Sequence, residues 1–224
     1  MVIPAVHGAK RDLLPCLGKG EAGTNRILVV GGERTKMSEA RAVVLYSERL
    51  MLREIEEDDW LALHVVHSDP EVTRFWEKLR TVEQTRESVR EAIHANQVSP
   101  RHSYDFAIIR TSDQALIGQI GIGAAECRHH GSLDFGYALA RQYWGNGYMT
   151  EALKTLLRFG FTELGAHRIC AECDPSNLAS ARVMEKAGMR CEAHFRKIRI
   201  YAGAEGDWHD SLLYAVLDDE WHSQ

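Results

Sequence analysis

No apolar run in these 224 residues approaches the length needed to cross a bilayer. The longest candidate near the start, Ile27 to Val30, stops at Gly31-Gly32 and is too short for the core of a signal peptide. No membrane partner is expected, and a cytoplasmic setting is. Basic excess is also missing: 27 Lys and Arg stand against 32 Asp and Glu, a net charge of -5. A nucleic-acid binder would usually show a strongly basic face, so none is expected as a partner. A mildly acidic chain does suit a cationic substrate. The five cysteines, Cys16, Cys127, Cys170, Cys173 and Cys191, are odd in number and irregular in spacing, which argues against a disulfide framework. Cys170-Ala171-Glu172-Cys173 does form a C-x-x-C, but it lies in an alternating run that reads as a strand. Residues three apart on a strand point to opposite faces, so these thiols do not converge on a metal. No second C-x-x-C accompanies the first, and no metal is expected. A zinc or redox site there is the alternative that metal analysis would test.

There is no internal repeat and no dinucleotide fingerprint. Gly118, Gly121 and Gly123 sit inside a strand pattern rather than between a strand and a helix, so they do not form a phosphate loop. What remains is an ordinary soluble balance, 45% hydrophobic and 26% charged, in a chain long enough for one compact domain and an appendage. Residues 1–40 hold Pro4, Pro15 and several glycines without a sustained apolar period. They are expected either to be a poorly ordered tail or to precede the true start at Met37. Gly31-Gly32-Glu33 falls where the purine-rich codons of a bacterial ribosome-binding site would stand. The domain is read as 41–224, and deleting 1–36 is expected to leave its core intact.

From Ser47 onward the pattern is regular. Strands are predicted at Leu50–Ile55, Asp105–Arg110, Leu116–Ala124, Leu133–Ala140, His167–Cys173, Cys191–Tyr201 and Leu212–Leu217. Helices are predicted at Asp58–His67, ended by Asp69-Pro70, from a Thr81-x-x-Gln84 capping box to about Asn96, at Tyr148–Leu164, and at Asn177–Lys186. The order implies a mixed α/β fold: a central twisted sheet of about six to seven strands flanked by four helices on both faces.

Two clusters carry chemistry. Gln142-Tyr143-Trp144-Gly145-Asn146-Gly147-Tyr148 joins a strand to a helix. Its glycines let backbone N–H groups turn inward, and the helix start offers unpaired donors and a positive dipole end. Together they suit a pyrophosphate, although a flexible turn needs the same glycines. The second cluster runs from Asn177 through Ser180, Met184 and Gly188 to Met189. Asn177 there has the ordinary reading of a helix cap.

These segments resemble, in this order, the signatures of the GNAT superfamily of N-acetyltransferases. Gln142 to Gly147 is similar to its Q/R-x-x-G-x-G/A loop, preceded by the strand Asp134-Phe135-Gly136-Tyr137. Asn177 to Met189 is similar to its N-x-x-S-x-x-V-x-E-K-x-G-F block, with Met189 where an aromatic is usual. Ser47-Glu48-Arg49-Leu50-Met51-Leu52-Arg53 and Trp208 to Tyr214 look like the RimJ/RimL group, named for enzymes that acetylate N-termini of ribosomal proteins.

The resemblance implies the acyl-CoA N-acyltransferase (GNAT) fold and acetyl-CoA as co-substrate. The pantetheine arm would lie between the strands Leu133–Ala140 and His167–Cys173. Gln142, Trp144, Gly145, Asn146, Gly147, Tyr148 and Met149 would cradle the pyrophosphate, and Asn177 the arm. Many relatives place a tyrosine where this chain has Met184, which cannot donate a proton. Ser180 stands where RimJ/RimL-like proteins carry a serine near the sulfur, so the resemblance implies the thiol-side role for it. Asp134 aligns with a frequent acidic residue on the splayed strand and would be the general base, or else an exposed strand carboxylate, with Tyr137 and Tyr214 in reserve. The acceptor would be a primary amine, on a protein N-terminus or a small molecule. Its selectivity would come from the segment around Arg74, Phe75, Trp76 and Glu77 and the hairpin Gly203–Trp208. A monomer or homodimer is expected. A non-catalytic acyl-CoA-binding sensor of the same fold is the alternative.

Overall fold

The structure is a computed structural model that describes residues 42–76, 79–124, 131–200 and 207–222, together with the backbone of residues 2–3. The tail assigned to 1–40 lies outside the described residues apart from Val2–Ile3, which form the short strand β1. The remaining strands are β2 (Val44–Tyr46), β3 (Leu50–Glu54), β4 (Ser103–Arg110), β5 (Ala115–Ala124), β6 (Ser132–Leu139), β7 (Arg168–Cys173), β8 (Arg190–Arg199) and β9 (His209–Leu217). The helices are α1 (Trp60–His67), α2 (Pro70–Thr73), α3 (Val82–Gln97), α4 (Tyr148–Thr162), α5 (Leu178–Lys186) and α6 (Asp218–His222).

All nine strands join one mixed sheet in the order β2-β3-β4-β5-β6-β7-β9-β8, with β1 on β6. Sequence pattern had given six to seven strands. The two extra ones are β1 and β2, too short to show an alternation of their own.

Local chemistry explains the helix boundaries. Thr81 and Gln84 close the expected capping box: Thr81 Oγ1 accepts from Gln84 N at 3.2 Å and Gln84 Oε1 accepts from Thr81 N at 2.9 Å. Asp69-Pro70 both ends one helix and starts another. The Asp69 carboxylate accepts from Glu71 N at 2.8 Å, and Pro70 sits where its missing N–H costs nothing, so α2 begins at once. The turn before α1, expected to be helical from Asp58, is instead a 3₁₀ turn at Glu57–Asp59. There Asp59 is drawn into a two-pronged ion pair with Arg53, both contacts at 2.7 Å.

The sheet carries a different layer on each face. Phe135, Tyr137 and Leu139 of β6 and Ile169, Ala171 and Cys173 of β7 pack with α4 and α5 residues such as Met149, Leu153, Leu156, Ala181 and Met184. On the other face, Ala138 and Ala140 pack under Val66, Val72 and Trp76, and Ala107 and Ile109 under Leu63, Val89 and Ala92. A polar contact is sealed into this second layer. His67 is fully buried, and its Nε2 lies 3.2 Å from Gln119 Oε1. Burial, helped by Arg80, pushes the imidazole down to about 3, so it is neutral near pH 7 and Nε2–H donates to Gln119. The unfolded imidazole binds a proton near pH 6.5, whereas the folded one does not until about pH 3. Across that window the unfolded state holds more protons, so stability should decline as pH falls. Melting curves should show this slope in the parent chain and a shallower one in His67→Gln, whose amide does not titrate.

Candidate active site

β6 and β7 run parallel and pair only at Ser132 with Arg168, Leu133 with Ile169 and Asp134 with Cys170. Beyond Asp134 they part. β6 stays bonded to β5 as far as Leu139 opposite Gly118, and β7 stays bonded to β9 as far as Cys173 opposite Leu212. The result is a V-shaped gap whose two edges carry main-chain donors and acceptors not used by each other. Gly118 belongs to this construction, because a β-carbon there would lie 2.3 Å from the Ala138 carbonyl oxygen. A side chain would push β6 out of line.

Past the end of β6 the chain makes a 3₁₀ turn at Arg141–Tyr143 and enters α4 through the glycine loop. Gly145 and Gly147 have φ of +77° and +78°, the left-handed region that residues with a β-carbon avoid. Gly147 caps α4 with no side-chain bond to the first-turn N–H groups. Such unpaired first-turn donors, with the helix dipole behind them, are the kind of helix end that suits an anion. Asn146 holds the loop by donating to the carbonyls of Tyr143 and Trp144 at 3.2 and 3.0 Å, and Trp144 Nε1 donates to Leu139 O at 2.7 Å. Gln142 is exposed and Tyr148 half-buried, while Met149 is fully buried and presents only its backbone.

A contact that sequence reasoning missed braces this loop. Arg49 donates to Asn146 O at 3.2 Å, lies 4.7 Å from the Tyr148 ring centre, and pairs with Glu151 at 2.6 Å. Ser47 Oγ and Arg49 N also donate to Glu151. A cation thus stands beside the anion-binding end. Its only sequence signal was the run Ser47–Arg53, in which Arg49 had no assigned role.

Tyr137 and Ser180 are brought together on the α5 side of the gap. Ser180 is fully buried in the first turn of α5, and its N–H donates to the Asn177 side chain at 3.2 Å. Asn177 is thus a helix cap, at 3% exposure. The Tyr137 hydroxyl lies 3.4 Å from the Ser180 carbonyl oxygen. Burial holds the phenol well above its ordinary range, a rise that the Ser180 hydroxyl partly offsets, so it stays protonated. Asp134 stands apart from this pair. It occupies the last paired position at the apex of the gap and, by strand alternation, shares the face of Ala138 rather than that of Tyr137. Tyr214 is engaged elsewhere, donating to Glu185 at 3.1 Å.

The same alternation puts Glu172 on the Asp134 face of β7, another feature the sequence did not announce. Glu172 accepts from Ser211 Oγ at 2.8 Å and from Arg199 at 3.1 Å, and the buried Asp174 lies 3.4 Å from His209 Nδ1. Of the segments given a selectivity role, Arg74 is exposed, but Trp76 is buried against Ala138 and Ala140 as packing. Glu77 and residues 203–206 lie outside the described residues, and Trp208 is exposed. Cys170 and Cys173 lie on opposite faces of β7 and are not joined to each other. Burial, helped by the Asp174 charge, pushes Cys173 up to about 12, which keeps it an inert thiol.

Comparison with known proteins places these features in context. A family profile described as an acetyltransferase (GNAT) domain matches residues 49–190. The chain is 34% identical over 177 residues to the uncharacterized N-acetyltransferase YnaD of Bacillus subtilis, covering 79% of this chain and 98% of that protein. Among solved structures it resembles a GNAT-family acetyltransferase from Bacillus anthracis, with a TM-score of 0.68 and 32% identity over 79% of this chain and 99% of that one. A fold likeness extends to RimL, a ribosomal protein alpha-N-acetyltransferase in complex with coenzyme A. Its TM-score is 0.68 and its identity 22%, over 79% of this chain and 99% of that one.

Proposed function

We propose, from the premise that this chain belongs to the GNAT family of acetyl-CoA-dependent N-acetyltransferases, that it acetylates a cationic primary amine by direct attack within a ternary complex. The observation that carries this is the parting of β6 from β7 beyond Asp134, with the glycine loop at the open end. Acetyl-CoA would lay the amide groups of its pantetheine arm along the edge of β6 that β7 leaves. Its pyrophosphate would meet the first-turn donors of α4 beside Arg49.

The amine approaches from the Asp134 face, where Asp134, Glu172 and Asp174 favour a positive charge. It loses its proton to Asp134, through water, and to solvent. The neutral nitrogen then attacks the thioester carbonyl. The C–N bond forms, a β6 backbone N–H near Tyr137 holds the developing oxyanion, and the C–S bond breaks. The nitrogen, left with a surplus proton by the attack, gives it up through the water at Asp134 to solvent. The departing sulfur takes a hydrogen bond, and finally a proton, from Ser180 or Tyr137 on the other face, and solvent then reprotonates that donor. Attack and departure thus use opposite sides of the gap.

Asp134→Asn should lower turnover while leaving acetyl-CoA affinity nearly unchanged. Its rate should climb with pH toward the amine's own pKa, because proton removal is left to solvent. An unaltered pH–rate profile would move the base elsewhere. The acceptor class is decided by incubating the chain and acetyl-CoA with peptides bearing a free N-terminus, with polyamines and with aminoglycosides, and weighing the products. The RimL likeness supports the peptide as the acceptor to try first. Acetylation of none of these amines would overturn the reading.

A further inference from the structure

The edge of β6 that β7 leaves has a partner from within the chain. Val2 and Ile3 run antiparallel to β6, Val2 opposite Ala138 and Ile3 opposite Tyr137. Both positions lie past Asp134, in the stretch where β7 has left β6. A backbone N–H or carbonyl serves one strong partner at a time in a ladder. An amide-bearing acyl chain laid along this edge would use the same groups, and so would the oxyanion contact near Tyr137.

We propose that this edge is a peptide-binding edge as well as a cofactor edge, and that Val2–Ile3 act as a built-in competitor that acetyl-CoA must displace. The proposal rests on the reading that the gap holds the pantetheine arm. The occupant is a segment of this chain, because Val2 and Ile3 are seated there and tethering gives them a high effective concentration at no cost in new contacts. The occupant is weak by construction. A strand of two residues makes few ladder bonds, each of modest net worth. It therefore lowers the fraction of chains whose edge is open rather than closing the site outright, and apparent cofactor affinity falls by that fraction.

The test keeps the full chain. Ile3→Pro removes the backbone donor of Ile3 and disfavours pairing. Calorimetry should give an acetyl-CoA Kd about three- to thirtyfold tighter for Ile3→Pro than for the parent, the range that loss of one or two backbone bonds allows. Amide hydrogen exchange, measured without acetyl-CoA at whichever of Tyr137 and Ala138 turns its N–H toward β1 rather than β5, should quicken in the same variant. Equal Kd values in two chains that both bind, or equal exchange at that amide, would overturn the competitor while leaving the cofactor slot in place. If neither chain bound acetyl-CoA, the slot reading itself would fall and the competitor with it.

Discussion

Glutamate at Gly145 or Gly147 should weaken acetyl-CoA binding by about a hundredfold to ten-thousandfold, the equivalent of losing two charge-assisted hydrogen bonds of ~1.5–3 kcal/mol each. Two causes add. A carboxylate would stand where the backbone donors of α4 and the Arg49 guanidinium receive a pyrophosphate, so attraction becomes repulsion. The backbone at both positions is left-handed, and a residue with a β-carbon is strained there by ~1–2 kcal/mol. The fold should survive, because a β-carbon at Gly145 meets nothing within 4 Å and one at Gly147 meets only Arg49 Nη2 at 3.6 Å. Gly145→Ala separates the causes. It carries the strain without the charge, so its melting point should drop slightly while its affinity stays near that of the parent. Calorimetry with acetyl-CoA on the three variants reads this directly. Parent-like affinity in a folded glutamate variant would remove the loop from the binding site.

Ser180→Ala should cut turnover by about tenfold to a thousandfold, the range for losing one proton-transfer partner or one transition-state hydrogen bond. Acetyl-CoA binding should change far less, because a sulfur becomes a strong acceptor only as the thioester breaks. Ser180→Cys should recover part of the rate. The structure adds a second participant. The Tyr137 hydroxyl sits against Ser180, and burial keeps it protonated throughout the working pH range. Tyr137→Phe should therefore slow turnover too. The double variant should be less impaired than the product of the two single losses, since the residues share one task. Multiplicative losses would assign them separate tasks. A parent-like rate in Ser180→Ala would mean that the thiolate departs without its help. Binding and turnover efficiency falling together, at unchanged maximal turnover, would make Ser180 a residue that only holds the arm.

Much of this architecture was legible because it is written in local pattern. The capping box at Thr81 announces α3 to within a residue at each end, since reciprocal bonds between residues three apart require nothing from the rest of the chain. The alternation in β6 and β7 assigns faces, so the separation of Cys170 from Cys173 follows from pleat alone. The glycine loop is recognisable because only residues without a β-carbon adopt its backbone freely.

What escaped was built from partners far apart in the chain. Arg49 reaches Asn146 and Glu151 across about a hundred residues, and Glu172 finds Ser211 and Arg199 only once β7, β8 and β9 are side by side. Neither pairing leaves a periodic trace. Trp76 read as a possible acceptor contact because an aromatic near an active site looks the same in sequence whether it faces a ligand or, as here, two alanines of β6. The Asp69-Pro70 step was read as an ending because a proline stops the helix before it. The same fixed φ opens the next one, and only the Asp69 cap reveals the restart. β1 could not be foreseen at all, because two residues carry no alternation and their partner lies on the other side of the molecule's sequence.

Acyl transfer to an amine is measured most directly by the release of coenzyme A thiol. Purified chain mixed with acetyl-CoA should release thiol slowly alone and much faster with an accepted amine. One acetylated product should form per thiol, and Gly145→Glu should abolish the amine-dependent part. Tight acetyl-CoA binding with no amine-dependent thiol release across peptide N-termini, polyamines and aminoglycosides would contradict it, and would make the chain an acyl-CoA sensor instead of a transferase.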